Sequence, residues 1–90
     1  MRFEWDPGKA GTNLRKHGVS FDEALSVFDD PLGITYPDPD HSDDERRLVS
    51  FGYSSSSRLL VVSHTERADT LRIISARPAT RGEHKIYEEG

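Results

Sequence analysis

Residues 46–77 read Arg46-Arg47-Leu48-Val49-Ser50-Phe51-Gly52-Tyr53, Ser54-Ser55-Ser56-Ser57, Arg58-Leu59-Leu60-Val61-Val62-Ser63-His64-Thr65, Glu66-Arg67-Ala68-Asp69 and Thr70-Leu71-Arg72-Ile73-Ile74-Ser75-Ala76-Arg77. Three runs rich in β-branched and aromatic residues are separated by two short polar stretches, the pattern of strands joined by tight turns. Neither stretch is long enough for a crossover helix, so the strands are predicted to pair as an antiparallel meander. Working outward, Gly33-Ile34-Thr35-Tyr36 supplies a further strand, joined to the meander by a polar loop from Pro37 to Asp44, and Phe3-Glu4-Trp5 is another short β-prone run.

Between these strands the pattern turns helical. Asp6-Pro7 reads as the N-cap and first residue of a helix running to about His17, with Gly18 ending it. Ala10, Leu14 and His17 share one face at helical spacing, and Lys9, Asn13 and Lys16 share another, which forms a basic stripe. Ser20 and Glu23 form a Ser-x-x-Glu capping box, with Val19 and Ala24 as its hydrophobic staple. The helix they open presents Phe21, Ala24, Leu25 and Phe28 and stops at Asp29-Asp30-Pro31. Its Asp22, Glu23, Asp29 and Asp30 make it electrostatically wrong for a DNA-reading helix. A second box, Thr80-Arg81-Gly82-Glu83, opens a short helix to about Glu88 with Glu83 and Tyr87 on one side. The order β-α-α-β-β-β-β-α predicts an α+β domain over residues 1–90, with helices on one side of a twisted antiparallel sheet.

Ninety residues with 33% hydrophobic content leave room for one small core, which excludes a two-domain enzyme. The absence of Cys excludes disulfides, thiolate zinc sites and a cysteine nucleophile, and fits a reducing, cytoplasmic setting. No signal peptide or membrane span is expected, because the longest apolar stretch is Leu59 to Val62. The net charge of −4 hides an asymmetry. Residues 1–57 carry 11 acidic and 6 basic side chains, whereas residues 58–85 carry 6 basic, five of them Arg, and 3 acidic. An acidic chain with a locally basic face stays compatible with nucleic acid, and a solvated strand surface would give the same composition.

Several residues carry possible chemistry. Asp38, Asp40, His41, Asp43, Asp44 and Glu45 are all potential metal ligands, but their spacing lacks the Gly and Glu of a calcium loop, so the segment is read as a solvated hairpin loop and no metal is expected. Ser54 to Ser57 lack a nucleophile elbow and read as a turn. His17 reads as a packed or dipole-complementing residue at a helix end. His64 closes a strand beside a turn, where it is either a general-base candidate or simply exposed. Strict alternation puts Ser75 and Arg77 on the face of Leu71 and Ile73, and Arg72 on the other with Ile74 and Ala76. An arginine at the rim of a covered face requires an anion, either a carboxylate such as Glu83 or a phosphate from a ligand.

The runs Phe3-Glu4-Trp5-Asp6-Pro7-Gly8-Lys9, Asn13 to Ala24, Val27-Phe28-Asp29-Asp30-Pro31 and Arg72 to Arg77, with Glu83 and Tyr87, resemble BrnT-family toxins of bacterial toxin–antitoxin pairs, in the same order and spacing from about Phe3 to Glu88. The resemblance implies a RelE-like fold: an antiparallel sheet of about four to five strands, two N-terminal helices packed on it and a short C-terminal helix. It also implies a type II toxin, a metal- and cofactor-independent endoribonuclease whose RNA cleavage halts translation. Its partner is expected to be a BrnA-type antitoxin with a ribbon-helix-helix DNA-binding part, in a dimeric or higher assembly. In that reading Arg72 and Arg77 stabilise charge, while Lys9, Lys16 and Arg81 contact RNA phosphates. His64, Glu83 and Tyr87 are the candidates for proton transfer. Pro78 and Gly82 depart from the family pattern and are expected to weaken the last helix. The competing reading is a non-catalytic module whose acidic first half binds a basic protein.

Overall fold

The two turns within residues 46–77 do what their residues dictate. In the computed structural model, which describes residues 1–38 and 46–90, β3 (Arg47–Tyr53), β4 (Leu59–Arg67) and β5 (Thr70–Pro78) pair antiparallel, with Phe51 opposite Val61 and Val61 opposite Arg77. At one edge β2 (Ile34–Pro37) joins β3 antiparallel, and at the other β1 (Arg2–Glu4) joins β5 in parallel. The order is β1-β5-β4-β3-β2, a five-stranded mixed sheet. The meander is antiparallel as expected, whereas the first strand departs from an all-antiparallel sheet. Only neighbours joined by a tight turn are forced into opposite directions, and nothing of that kind joins β1 to β5. The carboxylate-rich loop lies outside the described residues from position 39 to 45.

Two helices cover one face. In α1 (Pro7–His17) the Asp6 carboxylate accepts the Lys9 N–H at 2.9 Å, and Gly18, at φ 69°, ends the helix in the left-handed conformation that glycine adopts without strain. In α2 (Phe21–Ser26) the Ser20 hydroxyl accepts the Glu23 N–H, and one 3₁₀ turn, Val27–Asp29, continues it. The second half of the expected box does not form. Glu23 turns instead to Arg58, whose Nε donates at 3.0 Å, and to the Ser54 hydroxyl. Val19, Phe21, Ala24 and Val27 pack against Leu60, Val62, Leu71, Ile73 and Ala76 to make the core, and Trp5 meets Phe21 edge-on. The 3₁₀ turn rests directly on Gly52, where a Cβ would stand 3.0 Å from the Val27 carbonyl oxygen.

The faces of α1 are not those its periodicity predicts. Asn13 is buried and Leu14 is 52% exposed. The Asn13 side chain donates to the carbonyls of Val19 and Ala76 and accepts the Ala76 N–H, so it serves the free edge of β5 as a neighbouring strand would. Backbone satisfaction outweighs the burial of one leucine here. At the C-terminus, α3 (Arg81–Glu89) forms with its capping box complete. Neither Pro78, which closes β5, nor Gly82, with open space around it, prevents the helix. Among the described residues no helix is long and apolar enough to cross a membrane.

Candidate active site

One irregularity decides which arginines face the same way. Ser63 lies opposite Ser75 but His64 lies opposite Ile73, so Ile74 is an extra residue in β5. The bulge reverses the alternation, and Leu71, Ile73 and Ala76 all enter the core under the helices. Arg72 therefore shares the opposite face with Ser75 and Arg77, which corrects the assignment from strict alternation. The two arginines sit opposite Thr65 and Val61, four steps of β4 and about 13 Å apart.

They have different surroundings. Arg72 Nη1 lies 2.6 Å from Glu4 Oε2 on the adjacent β1, with both side chains nearly half exposed. The pair borders a cleft of about 670 Å³ at the β4–β5 turn, lined also by Arg46, Thr65, Glu66 and Arg67. Three arginines thus line one opening. Arg77, by contrast, forms a two-pronged pair with Glu83, at 2.7 and 2.8 Å. The Arg77 hydrogen bonds hold the Glu83 carboxyl down at about 2, with the Thr80 backbone N–H adding to the effect. The Tyr87 hydroxyl donates to Asp30 Oδ2 at 2.7 Å, an interaction that pushes the phenol up to about 12, and its ring meets Tyr53 edge-on. Arg77, Glu83 and Tyr87 thereby tie α3 to the rest of the fold. Arg81 is exposed on α3.

Lys9 and Lys16 line a second groove, of about 480 Å³, between α1 and the bulged part of β5, together with Thr12, His17, Ile74 and Ser75. Apart from His64, which is in the core, and Arg81, which is exposed, the predicted residues fall into three places: the turn cleft, the α1 groove and the α3 anchor. Arg46, Arg67, Glu4 and Glu66 were not singled out from the sequence. The signal available for two of them was their position beside a two-residue turn, where side chains from both strands meet.

His64 is not at a strand end, because β4 continues to Arg67, and it is completely buried. Its Nε2 is 2.7 Å from Ser50 Oγ, which is 2.7 Å from Thr35 Oγ1, and its ring meets Phe28 edge-on. Burial pushes the imidazole down from its ordinary 6.5 to about 4. Protons consequently bind the unfolded chain in preference to the folded one between those values. The His64 contribution to stability is complete above pH 6.5, declines with acid, and is lost near pH 4, a total of about 3 kcal/mol. Thermal melts between pH 7 and 4 are expected to show this fall, and a His64→Leu chain a shallower one. Glu83 titrates lower and takes its share only as the pH drops below 4.5 toward 2. Among the described residues no group of three or more metal-ligating side chains converges.

Comparison with known proteins gives a consistent picture. Residues 5–83 match the family described as the ribonuclease toxin BrnT of type II toxin–antitoxin systems. The fold is similar to the 1.1 Å crystal structure of the Brucella abortus ribonuclease toxin BrnT, with a TM-score of 0.66 and 25% identity, covering 90% of this chain and 99% of that one. No curated protein matches the sequence. The family match spans all but the ends of the chain, from Trp5 in front of α1 to Glu83 in α3, and on that basis the chain belongs to the BrnT ribonuclease toxins of type II toxin–antitoxin systems.

Proposed function

We propose that this chain is an endoribonuclease that cleaves RNA without a metal ion at the cleft beside the β4–β5 turn. The carrying observation is one opening lined by Arg46, Arg67 and Arg72 and also, from the strand position that lies opposite Leu71, by Glu66, a carboxylate with no arginine partner among the described residues. RNA supplies its own nucleophile, the 2′-hydroxyl. Glu66 takes the proton of that hydroxyl, the oxygen bonds to the adjacent phosphorus, and the bond to the 5′-oxygen breaks. The departing oxygen is protonated by water at the open cleft mouth. Guanidinium groups carry the added negative charge of the phosphorane, the task a divalent cation performs elsewhere.

Arg72 is the principal charge stabiliser, because its partner Glu4 is exposed and easily exchanged for phosphate. Lys9 and Lys16 extend the cationic path along the bulged strand, and Arg81 adds a peripheral phosphate contact. Arg77, Glu83 and Tyr87 support α3 and take no direct part in proton transfer. Cleavage of transcripts in the cytoplasm arrests translation. A BrnA-type antitoxin, with a ribbon-helix-helix part for DNA and an acidic segment for the cleft, neutralises the toxin in a dimeric or larger complex.

The test uses toxin freed from its antitoxin and incubated with end-labelled RNA in excess EDTA, with and without ribosomes. Cleavage leaving 2′,3′-cyclic phosphate ends is expected. Intact RNA under both conditions, or cleavage abolished by EDTA, would overturn the proposal.

A further inference from the structure

We propose that His64 is a positioning residue for Glu66, the last member of a polar relay that runs from exposed Thr35 through buried Ser50 across three strands and ends at the cleft carboxylate. This rests on the reading of Glu66 as the base. The geometry is specific. Thr35, Ser50 and His64 lie on three adjacent strands: Thr35 is directly opposite Ser50, and His64 is diagonal to Ser50, two positions beyond its partner Val62. Successive polar atoms along the relay are each 2.7 Å apart. His64 Nδ1 is buried with no hydrogen-bond partner among the described residues, and Glu66 Oε2 stands 3.4 Å from it.

A buried imidazole nitrogen left without a partner is costly, and a fully buried histidine calls for a reason. Of the two proton arrangements open to the relay, one supplies it. The Thr35 hydroxyl donates to Ser50 Oγ, the Ser50 hydroxyl donates to Nε2, and the remaining imidazole proton sits on Nδ1, aimed at Glu66. Burial keeps the ring neutral, so it serves as a directed donor and not as a competing cation. A modest rotation of the partly exposed Glu66 side chain closes the 3.4 Å gap. Catalytic hydrogen bonds that are long in a ligand-free site commonly tighten when substrate loads it. The sheet thus orients a turn residue that the turn by itself leaves free to rotate.

Two substitutions separate orientation from packing. Asn at position 64 places its amide where Nδ1 lies and keeps a donor toward Glu66, whereas Gln reaches toward Ser50 and gives up the donor. His64→Gln is expected to lower kcat about tenfold at unchanged KM, while His64→Asn stays within about twofold of the parent at a comparable Tm. Ser50→Ala, a smaller change, removes the proton that selects the tautomer and is expected to lower kcat in the same way if His64→Gln does not fold. Independently of activity, ¹⁵N spectra of the imidazole are expected to show the neutral ring protonated at Nδ1. The Nε2-protonated ring, or equal kcat for the Asn and Gln variants, would overturn the relay. Glu66→Gln distinguishes the two levels. Undiminished cleavage by that variant removes the base assignment on which the relay rests. Loss of cleavage there, with His64→Gln and Ser50→Ala fully active, removes the relay alone.

Discussion

An Arg72→Ala chain is expected to cleave RNA about 10²–10³-fold more slowly than the parent while melting within about 2 °C of it. The two halves of this expectation come from the same exposure. Arg72 and Glu4 have side chains 45% and 47% exposed, and an ion pair that wet contributes about 0–1 kcal/mol to folding. The same guanidinium acting on the charge that develops at phosphorus acts only in the transition state, where one such donor is worth about 3–4 kcal/mol. Arg72→Lys keeps the charge but not the planar fork, and an intermediate loss is expected. Glu4→Gln frees Arg72 and is not expected to slow cleavage. Initial rates on labelled RNA, measured beside thermal melts, decide the matter. An Arg72→Ala rate equal to the parent's would remove the turn cleft as the reaction site.

The largest effect on stability is expected from Asn13→Leu. The substitution matches the apolar pattern of α1 more closely, yet it strips three hydrogen bonds, to the carbonyls of Val19 and Ala76 and from the Ala76 N–H. Each buried backbone group so orphaned costs about 1–3 kcal/mol, for an expected loss of about 3–5 kcal/mol. For a domain of this size that lowers Tm by about 15–30 °C, and it consumes much of the total stability a small domain has. Asn13→Asp keeps the acceptor but loses both donations and is expected to fall nearly as far. Circular dichroism melts settle this, and a Tm within a few degrees of the parent would show that the β5 edge does not depend on Asn13.

The strands of the meander, the two caps opening α1 and α2 and the complete box opening α3 were legible because each is dictated locally: by β-branched runs, by polar turns, by a side chain three residues from the amide it accepts. The face of Arg72 was not. It depends on the extra residue Ile74, and a bulge leaves no trace in the alternation of a run such as Leu71-Arg72-Ile73-Ile74-Ser75-Ala76. Asn13 was misassigned for a related reason. An amphipathic pattern registers hydrophobicity, whereas the demand that buried Asn13 meets is the unpaired backbone of a strand 63 residues away. His64 looked like a strand end because Thr65-Glu66-Arg67 is polar, but those residues continue the strand to a two-residue turn. Resemblance supplied the family, and the family could not supply the neighbours of Arg72.

What the chain of residues determined alone is everything that propagates over a few positions: elements, their caps, the tight connections that force an antiparallel meander, and the basic bias of the last third. Contacts between distant segments decided the remainder. The parallel pairing of β1 brought Glu4 to Arg72, the bulge set the direction of the arginines, and pairing of β3 with β4 enclosed His64 behind the cleft. Local preference acts through bonds a few residues long. A binding cleft is made by side chains whose separation in sequence carries no information about their separation in space.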